Sequence, residues 1–420
     1  MGPRREQLIF VRDFLRERAA IRVGAHLRRD PLARLHLEEG RRDPYPLYED
    51  VRSRGPLVRS TIGAWTSVDH HVCNEILRSR SFGATGEDAD HLAGSPQLSF
   101  LEMNPPDHTR LRRFALPTFS PKSVAAFAPS IQQVVDDLLD KTVGDEPFDL
   151  VGSLAAPMPI GVITRLLGVG DADADEFAHY GATFGSALGG LQSIKHAGEL
   201  MRAQQALRRI FENAFEARRR DPGDDVISRL VSTEGSSVRP EEMVPLCTLL
   251  LIAGFETTVN LISNTILALL THPDAWRRVA ADPTLVEAAI EETLRWDPPV
   301  QRTARFALAD ATIAGHQVKK GEIVVTLLAG ANRDPAVFAE PARFDLDRPN
   351  KSEHLAFSSG IHYCVGAPLA RLEAIIAVRS LIARYPGLRV AGPVVRRQGS
   401  LIRGLTNFPV SRSFVAVPAG

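Results

Sequence analysis

Apolar residues recur at helical spacing through most of the stretch from 107 to about 290, with breaks at Asp221-Pro222-Gly223 and Gly235-Ser236. Within it, Val244 to Leu270 carries a single charge, Glu256. The same stretch holds Pro245, Thr248, Thr257, Thr258, Asn260, Ser263, Asn264 and Thr265, too much polarity for a membrane span, which needs about 20 predominantly apolar residues. It predicts a long helix buried inside a helical protein. Short alternating runs lie on either side. Leu57 to Ile62 and Ala64 to Val68 read as two strands around Gly63, after a turn at Asp43-Pro44-Tyr45-Pro46 and a short helix. A second strand-rich part runs from about 302 to 328, with a turn at Gly315. Residues 83–99 and 330–363 read as loop. A helix starts just after Cys364, with Leu369, Leu372, Ile375 and Ile376 on one face, and short strands and turns follow it. The sum is a mainly α chain with small β-sheets, without the βα alternation of a doubly wound sheet and without internal repeats. No linker divides it, so residues 1–420 read as a single domain. Residues 1–42 form a basic N-terminal helical extension, in which Leu8, Phe10, Val11, Phe14 and Leu15 interleave with arginines. A solvated basic face is the favoured reading there, over contact with an anionic membrane surface.

Composition narrows the function classes. Lys+Arg and Asp+Glu are both 50, which argues against a general nucleic-acid binder. The three cysteines, Cys73, Cys247 and Cys364, form no C-x-x-C pair, so neither a disulfide framework nor a cysteine-rich zinc site is expected. A reducing cytoplasm fits best, and no secretory leader or transmembrane segment is read.

The richest segment chemically is Phe357-Ser-Ser-Gly360-Ile-His362-Tyr-Cys364-Val-Gly366. Glycines on both sides of Cys364 permit tight turns and close approach of backbone to a flat ligand. The helix that follows aims its N-terminal NH groups back at the sulfur, which favours a thiolate, an electron-rich ligand for iron.

This segment matches F-x-x-G-x-H/R-x-C-x-G and resembles the haem loop of the cytochromes P-450; Ser358 stands where that family often has glycine. The resemblance extends over nearly the whole chain. It implies a mainly helical fold with haem b between the long central helix and the cysteine loop, and Cys364 as axial ligand of the iron. Ala253-Gly254-Phe255-Glu256-Thr257-Thr258 resembles the family's oxygen-activation segment. Ala253 and Gly254 would let haem and dioxygen approach the helix, while Glu256 and Thr257 would deliver protons. Phe357 and Gly366 would contact the haem. His108 and Arg112 match H-x-x-x-R, and with Arg305 and His362 they are the implied partners of the two propionates. Glu292-Thr-Leu-Arg295 resembles the family's E-x-x-R pair, with Arg343 of Pro341-Ala-Arg343-Phe344 as the third member of a buried network.

The implied reaction is a monooxygenation, hydroxylation or epoxidation, using dioxygen and two electrons from NAD(P)H. The electrons would come through a separate ferredoxin and ferredoxin reductase, because neither a G-x-G-x-x-G after a strand nor a cysteine cluster is present. Arg110 or Arg113, around Arg112, would help dock the donor. The expected substrate is a small hydrophobic molecule, free or carrier-bound: a fatty acid, a polyketide or macrolide, or a terpenoid, as in secondary metabolism. It would sit among residues 83–103, 177–200, Leu250, Ala253, 298–302 and 401–407, under a mobile lid marked by Gly181, Gly185, Gly189 and Gly190. The protein is expected to be a monomer. Two readings compete: a peroxide-driven peroxygenase, and a non-catalytic haem-binding sensor or carrier. Glu256-Thr257 argues against both. A Cys–His hydrolase built from Cys364 and His362 is a poor third, since residues two apart in a turn do not readily set a base beside a nucleophile.

Overall fold

In the computed structural model, residues 3–86, 98–144, 146–169, 174–186 and 193–412 are described. The long helix runs from Pro240 to Thr271. Proline at its first position lacks only an NH that would be unpaired anyway, and the Glu242 carboxylate accepts the Arg239 NH at 2.8 Å, closing the N-terminus. It is long and apolar enough to cross a membrane, but most of its apolar stretch is buried in the protein. Its hydroxyls need no water there. Thr257, Ser263 and Thr265 each donate to the carbonyl four residues back, at 2.7–2.8 Å. Helices Pro157–Leu167, Ala174–Gly185 and Ala367–Arg384 pack around it, and their buried Leu, Ile, Val and Phe side chains join it in one large core.

The sheets stand at one side. Five strands pair in the order Val58–Arg59, Trp65–Ser67, Ile323–Thr326, Thr303–Ala307 and Phe82–Gly83. The middle pair, Trp65–Ser67 with Ile323–Thr326, is parallel, and the other pairs are antiparallel. The expected hairpin turns at Gly63, whose φ of 94° suits glycine. A later hairpin, Val395–Arg396 with Leu405–Asn407, lies against the central helix. Gly404 has to be glycine there, because a Cβ would come within 1.7 Å of the Asn260 side chain.

The basic N-terminal segment is not one helical extension. It folds as Pro3–Leu27, Pro31–Arg34 and Glu38–Arg42, and Asp30 caps the second helix by accepting the Ala33 NH. Buried Ala25, Leu32 and Leu35 anchor it to the body. The glycines read as a lid also act differently. Gly181 and Gly185 let Ala174–Gly185 sit close on the central helix, where a Cβ would meet Leu251 at 3.2 Å and Glu256 at 3.4 Å. Gly189 and Gly190 lie outside the described residues.

Beneath the cysteine loop lies a fully buried pair. Arg295 Nη2 and Nε reach the two oxygens of Glu292 at 2.7 and 2.8 Å. The remaining Arg295 protons go to the carbonyls of Asn332, Pro341 and Arg343. The third charged member is Arg348, 4% exposed, whose Nε lies 3.2 Å from Glu292 Oε1. This corrects the assignment of Arg343. The Arg343 side chain is in solvent beside Glu340, and only its carbonyl turns inward, accepting from both Arg295 and Arg348.

Losing one partner of a buried ion pair leaves a desolvated charge behind. Arg348→Leu should therefore lower stability by about 3–5 kcal/mol, and Arg343→Ala by less than about 0.5 kcal/mol. Urea unfolding of the two variants checks this, and equal losses would return Arg343 to the network.

Candidate active site

Between the central helix, the cysteine loop, the five-stranded sheet and the N-terminal helices lies a cavity of about 1360 Å³. That exceeds the roughly 300–1,000 Å³ of an ordinary small-molecule site, so it can hold a flat macrocycle and a second molecule. Of the residues singled out above, Cys364, Ala253, Gly254, Thr257, Phe357, Gly366, Arg112, Arg305 and His362 line it.

The cysteine loop is held from several directions. The Cys364 NH donates to the Phe357 carbonyl at 2.9 Å, and Ala370 NH to Gly366 O starts the following helix. Ser358, in the place of the usual glycine, takes a left-handed φ of 62°, so the turn keeps its shape at a cost of about 1–2 kcal/mol. Gly360 is also left-handed and presses on the Leu77 carbonyl, where a Cβ would come within 2.5 Å. The Arg371 guanidinium lies 4.6 Å from the centre of the Phe357 ring and is fixed by Glu291 at 2.6 Å.

Cys364 opens onto the cavity rather than onto bulk water. Burial pushes its thiol up, and the NH groups of Gly366 and Ala367 together with Arg112 and Arg371 pull it back only in part. The helix start alone therefore does not make a thiolate. A bound metal ion, a much larger local charge, would.

Beside the thiol stands a cluster of donors with few acceptors. His108 is 1% exposed, its ring centre lies 4.2 Å from that of His362, and neither of its ring nitrogens has a hydrogen-bond partner among the described residues. His362 Nε2 is likewise buried and unpaired. Burial, then Arg112 and Arg305, lower His108 to about 4; burial, then Arg305, His108 and Arg112, lower His362 to about 3. Arg305 is pulled down to about 10 by burial, with no carboxylate to oppose it. Its protons reach only the Thr303 and Ser358 hydroxyls and the Ala304 carbonyl. Arg112 donates to the Tyr363 carbonyl. Unpaired polar groups cost free energy unless a ligand satisfies them. Two arginines and two histidines beside a thiol fit a metal macrocycle that carries carboxylates.

The acids are arranged less simply than the sequence implies. Thr257 faces the cavity, but Glu256 does not line it. Glu256 is buried and turned toward Arg397, whose Nη2 lies 2.6 Å from Oε1. Burial raises its pKa and Arg397 opposes the rise. A second acid does line the cavity, Glu373, 3% exposed on the helix after Cys364. Burial raises it to about 8, against a smaller opposing effect of the Thr258 hydroxyl. Sequence reasoning passed over it, although a carboxylate beside the apolar stripe of Leu369, Leu372 and Ile376 was a readable signal. Arg397 left no such local signal. The expected substrate-facing segments are met at Ala84, Phe100, Leu250, Val300, Arg302, Leu401 and Ile402. No described residue between 174 and 200 lines the cavity.

The raised acid has a consequence for stability. Between its ordinary value of 4.5 and about 8, the folded chain holds a proton on Glu373 that the unfolded chain has lost, so stability falls as pH rises through that window. Glu373→Gln should remove up to ~1.4 kcal/mol per pH unit of that slope and be more stable than the parent at pH 8. Urea unfolding from pH 5 to 8 tests it, and parallel profiles would mean that Glu373 is ionised in the fold.

Comparison with known proteins supplies the family. The cytochrome P-450 family model matches residues 191–386. The cytochrome P-450 monooxygenase PikC of Streptomyces venezuelae is 37% identical, over 88% of this chain and 91% of its own. Among solved structures, ligand-free CYP164A2 of Mycobacterium smegmatis superposes with a TM-score of 0.84 at 39% identity, covering 91% of this chain and 99% of that one. A structure titled P450BioI in complex with hexadec-9Z-enoic acid ligated acyl carrier protein also gives 0.84, at 34% identity, covering 90% and 100%. With whole-length relatives at this identity and a cavity that joins one thiol to a cluster of carboxylate-seeking groups, the chain belongs to the cytochrome P-450 family and is a haem b monooxygenase.

Proposed function

We propose that this monooxygenase hydroxylates or epoxidises a hydrophobic substrate in the cytoplasm, as a monomer of one domain, with electrons from NAD(P)H passed by a separate ferredoxin and its reductase. The observation that carries the reading is that Cys364 and Thr257 line one cavity whose walls are mostly apolar. Cys364 would hold the haem iron, and the haem would supply the oxygen activation that the chain's own side chains cannot. Arg112, Arg305 and His362, which line the cavity, would hold the propionates together with His108, packed against His362, and the unpaired nitrogens of the two histidines would gain partners there. Ala253 and Gly254 keep the helix surface flat against the ligand, and Phe357 backs the loop.

Proton supply falls to the chain's own acids. The Thr257 hydroxyl stands at the cavity wall, bonded to Ala253 O. Glu256 connects it to the surface, since Arg397, its ion-pair partner, is partly exposed. Glu373, held protonated near neutral pH, is a donor already inside. This supply favours the dioxygen route over a peroxide-driven one, which needs no such delivery.

The donor docks over the cysteine loop, where Ile361, Tyr363 and Leu116 are exposed beside Arg113. Arg110 is not available for this. It is held by Glu242 at 2.6 and 2.9 Å and by Asp107 at 2.6 Å, joining the His108 helix to the start of the central helix.

Two outcomes are expected. Thr257→Ala should lower NADH-driven product formation by about 10²-fold while peroxide-driven turnover stays within twofold of the parent. A variant that kept fully coupled NADH-driven activity would remove Thr257 from proton delivery. Arg113→Glu should slow reduction by ferredoxin without altering the haem spectrum, as expected for a charge at the rim of an interface. An unchanged rate would place the docking surface elsewhere.

A further inference from the structure

The cavity contains a second set of cations, away from the propionate cluster. Gln301 turns its side chain inward to Tyr48 and the Pro298 carbonyl, at 2.9 and 2.6 Å, and the next residue, Arg302, lines the cavity. Arg302 Nη2 donates to the Ser400 hydroxyl at 3.0 Å, and among the described residues no carboxylate pairs with it. Arg41, on the short helix Glu38–Arg42, and His36, in the turn before it, line the same cavity. Arg41 Nε is buried and has no hydrogen-bond partner among the described residues. Burial, then Arg302 and Arg41, hold His36 at about 3, so its ring is neutral and the arginines carry the charge.

Other buried guanidinium groups are treated differently. Arg295 and Arg348 hold Glu292, and Arg403 holds Asp297 at 2.7 Å. Arg302 is also distinct from the propionate set. Its charge acts on His36 and Tyr48, whereas His108 and His362 respond to Arg305 and Arg112. Of the acids that line the cavity, Glu17 and Glu38 are exposed, and Glu373, raised to about 8 by burial, is uncharged at neutral pH. Glu102, on another part of the wall, accepts the Leu98 NH at 3.0 Å. Leu32, Ile62, Ile323 and Val325 make the lining around this set apolar.

We infer that Arg302, with Arg41, binds the carboxylate of a long-chain aliphatic acid whose hydrocarbon tail extends through the apolar part of the cavity toward Thr257 on the central helix. Arg302 is half-buried, and holding a guanidinium partly out of water without a protein counter-charge is costly. A substrate carboxylate, held by charge-assisted bonds in a dry setting, offsets that cost. The inference rests on the haem-thiolate reading above and names the substrate class of that site. It also fixes the pose, with oxidation remote from the acid end.

The test is a titration of the ferric holoenzyme, following the low- to high-spin Soret shift, with dodecanoate, its methyl ester and dodecanol. Dodecanoate should bind about tenfold more tightly than the ester, the size of one net charge-assisted contact. Arg302→Leu should abolish that preference while ester binding stays within twofold, and Arg302→Lys should restore part of it. Equal affinity for acid and ester in the parent, a preference that survives Arg302→Leu, or no shift with any saturated acid from octanoate to hexadecanoate would overturn the inference. The thiolate-specific Soret band of the ferrous carbonyl complex, recorded on each sample, keeps the two readings apart. Its loss in the parent would strike the haem-thiolate reading, whereas its presence with no acid preference would strike only the carboxylate site.

Discussion

Everything about the site follows from positive charge and open hydrogen-bond donors being buried beside a thiol. Arg112, Arg305, His108 and His362 are desolvated without a carboxylate among them. Left to relax, such groups would turn toward water or toward a stray acid. They do not, because the surrounding framework is rigid. The Glu292–Arg295–Arg348 network ties the segment from 332 to 348 beneath the loop, and Arg371, fixed by Glu291, closes over Phe357. Binding of an anionic cofactor then satisfies what folding leaves open. Folding and cofactor affinity are two sides of the same electrostatic account.

How much of this was legible depends on the range of the interaction. The cysteine loop is a local feature of ten consecutive residues, so its turn was readable, although Ser358 as well as Gly360 takes a left-handed φ there. The central helix was readable too, because its apolar length and its self-bonding hydroxyls are local. Arg348 was not. It stands five residues beyond Arg343, and nothing in the sequence says which of the two points inward; that depends on a turn which presents the carbonyl of Arg343 and the side chain of Arg348 to the same pair. Arg397, more than a hundred residues from Glu256, was invisible for the same reason. The glycines at 181 and 185 were seen but read as mobility. In the fold they are close-approach points between helices, a role that a sequence does not distinguish from a hinge.

The N-terminal segment shows the limit of composition as a guide. Its arginines suggested a solvated or membrane-facing extension. In the fold, Glu17, Ile21 and Arg22 of its first helix and His36 and Arg41 beyond it border the cavity. A basic segment can thus belong to the binding site of a chain with no net charge, because recognition depends on local and not summed charge. The chain's excess of arginine over lysine then takes on meaning according to pairing. Arginines that hold carboxylates are structural, and those left unpaired inside a cavity are available to a ligand.

The same sorting separates the two acids near Thr257. Glu256 has a guanidinium beside it, so ion pairing opposes the rise that burial causes. Glu373 has only a hydroxyl, burial prevails, and its proton stays at neutral pH. Two carboxyl groups whose surroundings move them to different degrees can take different roles, one as the entry point for protons and one as the reserve inside. Neither role needs the acids to touch the reacting oxygen. Thr257 and Thr258, adjacent on one helix, both line the cavity, and the helix that carries them is held in place by the packing of Gly181, Gly185 and Gly404 against it.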